Sequence, residues 1–266
     1  MPNSTLFLHG GPGLSSVAER TWINEQLDIA WWEQPRSSGP HAISYDIVLE
    51  AAASELHRHF VALGKPIRLL ANSFGCRLAL DLATLAPQQL HSMVLLAPTF
   101  DLPISYHRFA RLLMKKAPTA ILESALQAYE SEPAPACFWS LIGAILQVPR
   151  FTDYYWSPDA KSHSERFAEL MSSPAGFDFR TFQQVLDSLL ARGALPLPCP
   201  FPGPVTAIFG SFDPYLDLAE DTESLHRLLK NAHIQVVESG HFPHLELASQ
   251  HWLPAIDGVC VSTNGL

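Results

Sequence analysis

The chain has 266 residues, enough for one large domain or a core domain with an insertion, and 47% hydrophobic against 16% charged residues can fill a sizeable core. Lys and Arg number 17 against 26 Asp and Glu, a formal charge of −9 with no basic block, which excludes a nucleic-acid partner held by phosphate neutralisation. Four scattered cysteines (Cys76, Cys137, Cys199, Cys260), no charged leader at Met1–Ser4 and no long apolar run predict a soluble, cytoplasmic protein with neither a disulfide framework nor a membrane span.

Thr5-Leu6-Phe7-Leu8 is an apolar run that stops at His9-Gly10-Gly11-Pro12-Gly13, the pattern of a buried strand ending in a turn. Ser15 and Ser16 are cap candidates for a helix over Val17–Leu27, and Ile29-Ala30-Trp31-Trp32 reads as a second strand. Ser44 is placed to cap a longer helix carrying Ile47, Leu49, Ala52, Leu56, Phe60 and Leu63, which Gly64 ends. Ile67–Leu70 is a third strand, Cys76–Leu85 a helix and Met93–Leu96 a fourth strand. Apolar strands separated by helices predict an α/β protein with a mostly parallel sheet covered on both faces.

From about Phe100 to Pro200 no strand pattern occurs, while helical patterns run over Thr119–Tyr129 and Phe179–Ala191 among many aromatic residues. The alternating prolines of Leu195–Pro204 forbid a helix and predict a stiff extended connection. Strand–helix alternation then resumes with Val205–Phe209, Leu218–Leu229, Ile234–Val237 and a last helix from about His244. The organisation expected is a core in two parts, 1–99 and 205–266, with 100–204 inserted as a helical lid over the carboxyl edge of the sheet, where such sheets bind ligands.

Ala71-Asn72-Ser73-Phe74-Gly75 lies where a strand turns sharply into a helix, a bend that projects a serine hydroxyl beyond the sheet and needs small residues two before and two after it. The following helix contributes its N-terminal dipole and the free N–H of Phe74, and the N–H of Gly11 after the first strand would be a second oxyanion donor. A serine hydroxyl is a weak nucleophile and needs a base held by a carboxylate. The loop Phe209–Pro214 offers Asp213 and the loop Glu238–Pro243 offers His241, so Ser73, Asp213 and His241 occur in the chain order that a strand-end triad on this kind of sheet produces. Acyl transfer by these groups calls for no metal and no cofactor. Gly10–Gly13 is not a phosphate loop, since neither GxGxxG nor GxxxxGK[ST] is present.

Other residues compete for these roles. Asp101, after the fourth strand, is an alternative acid, and His244 an alternative base, although His244 is also placed to start the last helix. His57 and His59 face different sides of a helix and form no metal pair. Cys76 reads as a small buried hydrophobe. Glu130, Glu132, Asp153 and Asp159 would hold a substrate amine only if they turned inward from the lid.

The chain resembles the α/β-hydrolase superfamily over essentially its whole length, and its HGGPG stretch is most similar to the proline iminopeptidase branch. The resemblance implies the Ser73–His241–Asp213 triad with Gly11 and Phe74 as the oxyanion hole. Three departures accompany it: Ala71 in the nucleophile motif, Glu33-Gln34-Pro35-Arg36-Ser37-Ser38-Gly39 in place of the branch's DQRGxGxS loop, and a start near the family's third strand, as though the first two were absent. If that leaves an open sheet edge, two chains could pair there as a homodimer. The expected activity is hydrolysis of a carboxylic ester or thioester of a small hydrophobic acyl group, a small-molecule substrate suited to an aromatic, weakly charged lid. The alternatives are a proline iminopeptidase-like aminopeptidase, and a low-turnover small-molecule receptor, signalling protein or lyase on the same fold.

Overall fold

The computed structural model describes residues 4–23, 27–38, 42–193 and 198–256. Met1–Asn3, the end of the first expected helix (24–26), Gly39, the start of the proline-rich connection (195–197) and Cys260 lie outside the described residues. Six parallel strands, β1 (Thr5–Leu8), β2 (Ile29–Trp31), β3 (Ile67–Asn72), β4 (Leu90–Leu96), β5 (Val205–Gly210) and β6 (Ala232–Val237), form one sheet in the order β2-β1-β3-β4-β5-β6. At the centre of the sheet Leu8 stands opposite Ala71, Ala71 opposite Leu95, and Leu96 opposite Ile208.

The helices follow in chain order: α1 (Val17–Trp22), α2 (Tyr45–Leu63), α3 (Phe74–Leu85), α4 (Leu102–Lys116), α5 (Ala120–Ser131), α6 (Pro135–Leu146), α7 (Lys161–Met171), α8 (Phe179–Arg192), α9 (Leu218–Leu228), α10 (Pro243–Glu246) and α11 (Leu253–Ile256). Strand residues alternate between two cores. Leu6, Leu8, Leu69, Leu95 and Ala207 pack with α2, α3 and α9, while Phe7, Leu70, Val94, Leu96 and Ile208 pack with Trp252, Ala255 and Ile256. Every residue of β1 and β5 is buried as a result, the condition for apolar parallel strands.

Local chemistry sets the helix ends. Ser44 accepts from the Ile47 amide at 3.3 Å, and Gly64 ends α2 in the left-handed conformation (φ 65°), as the sequence predicts. Helix α1 is shorter than expected, and Ser16 does not cap it: its hydroxyl donates to Glu33 at 2.6 Å. The expected last helix is broken into α10, a 3₁₀ turn at Ser249–His251 and α11. Pro254, within α11, has no amide with which to bond the turn before it.

Between β4 and β5 lie the five helices α4–α8, of which α4, α5 and α6 share a core of Phe109, Leu113, Leu122, Leu141 and Ile145, while α8 packs Phe182, Val185, Leu186 and Leu189 into the core of α2 and α3. The last of them is tied to the sheet domain through a buried polar cluster. Tyr45 donates to Asp81 at 2.6 Å, Arg77 reaches Asp81 at 3.5 Å and the Gly193 carbonyl at 3.3 Å, and the guanidiniums of Arg77 and Arg192 stand over the Tyr45 ring. Arg77 and Asp81 are both buried, so neither charge is compensated by water. Removing one partner strands the other. Asp81→Ala is expected to lower unfolding stability by about 3 kcal/mol in urea titrations, with Tyr45→Phe costing only about 1 kcal/mol.

Candidate active site

The β3–α3 junction leaves no room for an ordinary turn. Ser73 carries φ 51° and ψ −119°, a conformation that non-glycine residues adopt only under constraint. The constraint is visible: the Ser73 amide donates to the Leu96 carbonyl at 2.9 Å, the Cys76 amide returns to the Ser73 carbonyl at 2.9 Å, and a Cβ at Gly75 would run into the carbonyl oxygens of Leu8 and His9. Gly75 therefore lets α3 press against the end of β1, and this brings Gly10 and Gly11 beside Ser73. Gly11 has φ 137°, open to glycine alone. Phe74 opens α3, so its amide has no acceptor within the helix.

The loops after β5 and β6 supply the partners. His241 Nδ1 lies 2.8 Å from Asp213 Oδ2, and His241 Nε2 lies 2.8 Å from Ser73 Oγ. Asp213 can only accept, so Nδ1 carries the ring proton and Nε2 is left to accept from the serine hydroxyl. All three side chains are buried. The second Asp213 oxygen accepts from the Tyr215 amide at 2.9 Å, and the His241 amide donates to the Tyr155 carbonyl at 2.6 Å, so both acid and imidazole are fixed from the backbone. Thr99 Oγ1 sits 3.4 Å from Ser73 Oγ, and Asn72 Nδ2 donates to the carbonyls of Leu96 and His241 at 3.1 and 3.3 Å.

The competing residues go elsewhere. Asp101 is exposed and caps α4 by accepting from the Ile104 amide at 3.0 Å. His244 is buried against Glu19 at 3.0 Å. His59 meets Glu55, and His57 meets Gln89. Cys76 is buried with its thiol against the Ala71 carbonyl at 3.3 Å, and burial pushes that thiol well above its usual range. Glu130 pairs with His107 at 2.8 Å and Asp153 with Arg150 at 2.6 Å, while Glu132 and Asp159 are exposed.

Ser73, His241, Gly10 and Gly11 open on a cavity of about 90 Å³ roofed by Leu102, Ile142, Ile145, Phe151, Phe167, Phe177 and Phe182. No Asp, Glu, Lys or Arg is among its described lining residues. Four of them, Leu146, Phe151, Met171 and Phe177, also line an open cleft between the end of α6 and the end of α7. Elsewhere the roof is fastened. Arg36 donates to the Pro174 and Ala175 carbonyls, the Ser37 amide to Thr181 Oγ1 at 2.7 Å, and the Asp178 amide to the Gly13 carbonyl at 2.8 Å. On the far side Arg108 of α4 holds Asp221 at 2.8 Å and Glu220 at 2.7 Å. Nothing in the sequence alone singles out Arg36, Asn72 or the tyrosines around His241; Tyr215, two residues after Asp213, is the one with a local signal.

A profile of the alpha/beta hydrolase fold family matches residues 34–247. No curated protein matches the chain in sequence. Among solved structures it is similar to a proline iminopeptidase-related protein from Thermus thermophilus, at 23% identity and TM-score 0.67 over 96% of this chain and 88% of that one. It is also similar to an N-acyl homoserine lactone degrading enzyme (16% identity, TM-score 0.60, covering 96% and 92%) and to MenH from S. aureus (17%, 0.56, covering 97% and 93%). At these identities the likeness is one of fold. None of the described helices is long and apolar enough to cross a membrane.

His9, at the turn after β1, is held neutral by its partners and its burial. His9 Nδ1 bonds the Gly10 carbonyl at 2.6 Å while Nε2 accepts from the Gln34 amide at 3.2 Å, which requires the neutral ring. Burial holds it below its ordinary value of 6.5. Above that pH the folded and unfolded chains both carry it neutral. Below it the unfolded ring takes a proton that the folded ring refuses, so stability falls with falling pH until the folded value is reached. Unfolding by denaturant between about pH 7.5 and 5.5 should show this loss, and His9→Gln should show a shallower one over the same range.

Proposed function

The chain belongs to the α/β-hydrolase fold family, and on that footing we propose that it is a serine hydrolase acting on a carboxylic ester or thioester of a small hydrophobic acyl group. Ser73 attacks the carbonyl as His241 Nε2 takes its proton, and the amides of Gly11 and Phe74 receive the developing oxyanion. His241 then gives the proton to the departing alcohol or thiol, leaving an acyl group on Ser73 Oγ. Water, deprotonated by the same imidazole, attacks this acyl-enzyme and releases the acid. Asp213 keeps the ring in the productive tautomer and stabilises it while charged.

The observation that carries this reading is the unbroken hydrogen-bond line from Asp213 through His241 to Ser73, 2.8 Å at each step, ending in an apolar cavity. A second observation ranks the substrates. An aminopeptidase must pair a free substrate amine with a carboxylate, and the cavity's described lining offers none. The ester or thioester therefore stands ahead of the N-terminal peptide bond.

Two measurements test it. Short-chain p-nitrophenyl esters should be hydrolysed with a kcat/KM well above that for proline p-nitroanilide; the reverse order would overturn the ranking. Ser73→Ala should reduce ester turnover by about 10⁴- to 10⁶-fold, and a fluorophosphonate should label the native chain but not that variant. A native chain that neither turns over esters nor takes the label would favour a binding role instead.

A further inference from the structure

Apart from Ser73 and His241, the cavity's described lining presents side-chain oxygen or nitrogen atoms from three residues only, Tyr106, Tyr155 and Tyr215. They come from three separate places: α4, the 3₁₀ turn Phe151–Tyr155 and the loop after β5. They converge nonetheless. Tyr155 Oη lies 2.9 Å from Tyr215 Oη, and the Tyr106 ring packs directly on that of Tyr215. The rings interlock edge to face, with Tyr106 and Tyr215 at 5.5 Å and Tyr215 and His241 at 4.8 Å between centroids.

Counting protons gives this cluster a function. Three phenols hold three O–H donors, and the hydroxyl–hydroxyl contact between Tyr155 and Tyr215 uses one of them. Two O–H groups are left over, that of Tyr106 and one from the Tyr155–Tyr215 pair, whichever way that pair is polarised. A phenol keeps its proton at physiological pH, and burial raises all three further, Tyr106 to about 12, so the trio presents neutral donors. A buried donor without a partner is costly, and a ligand that fills the apolar cavity also removes the water that could satisfy it. The ligand must then bring the acceptor itself.

We propose that the hydroxyls of Tyr106, Tyr155 and Tyr215 are the specificity-determining polar element of the cavity, and that they select neutral substrates bearing a second oxygen acceptor (keto, ether or amide carbonyl) besides the scissile carbonyl. The proposal rests on the acyl-transfer reading for the reaction that follows binding, but the recognition itself is separable from it. With no carboxylate in the lining, an ammonium group would enter without a counter-charge.

Three probes of one shape and without a scissile bond test it: n-butylbenzene, 4-phenylbutan-2-one and 4-phenylbutan-2-amine. Their dissociation constants are read by tyrosine and tryptophan fluorescence on the full chain and on Tyr106→Phe/Tyr155→Phe/Tyr215→Phe. Removing all three hydroxyls at once leaves no orphan, so the variant should keep its fold. The preference for ketone over hydrocarbon is expected to fall about tenfold in the variant, and in the native chain the ketone should bind at least about tenfold tighter than the amine. An unchanged ketone preference in the folded variant, an amine that binds the native chain as tightly as the ketone, or no binding of the ketone would each overturn the proposal. Should the variant not fold, the ketone–amine comparison in the native chain decides. An active esterase with an unchanged preference refutes the trio alone; an inactive chain that keeps the native preference and loses it in the variant refutes acyl transfer alone.

Discussion

The backbone at Ser73 is held in a conformation that a serine would leave if it could, and much of the molecule is arranged to prevent it. Gly75 lets α3 lie against the carbonyls of Leu8 and His9, and β4 closes the other side through Leu96. With the end of β3 locked between β1 and β4, the turn after β1 has to pass Ser73, which is why Gly10 and Gly11 border the same cavity. The loops after β5 and β6 emerge at the same edge, and Tyr215 and Tyr155 fix Asp213 and His241 there through their backbones. The alignment of three side chains distant in sequence is thus a property of parallel strand ends, refined by a few amide contacts.

Electrostatics divide the helical layer in two. Its charged residues are paired or exposed at the periphery, with Arg108 on Glu220 and Asp221 and Glu130 on His107, while the surface turned to Ser73 is aromatic and aliphatic. In so dry a place a single hydroxyl or amide counts for more than it would in water. A neutral His9 at the glycine turn and neutral tyrosines across the cavity suit these surroundings alike: burial lowers the imidazole and raises the phenols, both away from charge.

Much of this was legible in the sequence because the signals were local. Runs such as Thr5–Leu8 and Met93–Leu96 could only be buried strands, Ser44 and Gly64 announced the ends of α2, and the order Ser73, Asp213, His241 followed from where the strands stop. What escaped notice depends on distant partners. Ser16 has the credentials of a cap, but Glu33 takes its hydroxyl. Helix α6 is so nearly all apolar that no face stands out, and it is recognisable only once α4 and α5 surround it. The tyrosine trio unites residues from three elements, and no spacing rule relates positions 106, 155 and 215.

The loop Glu33–Ser38, which stands in place of the DQRGxGxS loop of the branch it resembles, joins the strand ends to the helices above them: Gln34 steadies His9 below, while Arg36 and Ser37 grip the stretch before and at the start of α8 above. Gly13 adds a third stitch through Asp178. A chimera that borrowed the helical segment of a relative while keeping this seam would lose the Thr181 hydroxyl, and would meet Arg36 with carbonyls only where the borrowed backbone follows the same path. Roof and seam are therefore expected to be exchangeable between relatives only as one cassette, and divergence in either should be tracked by compensating change in the other.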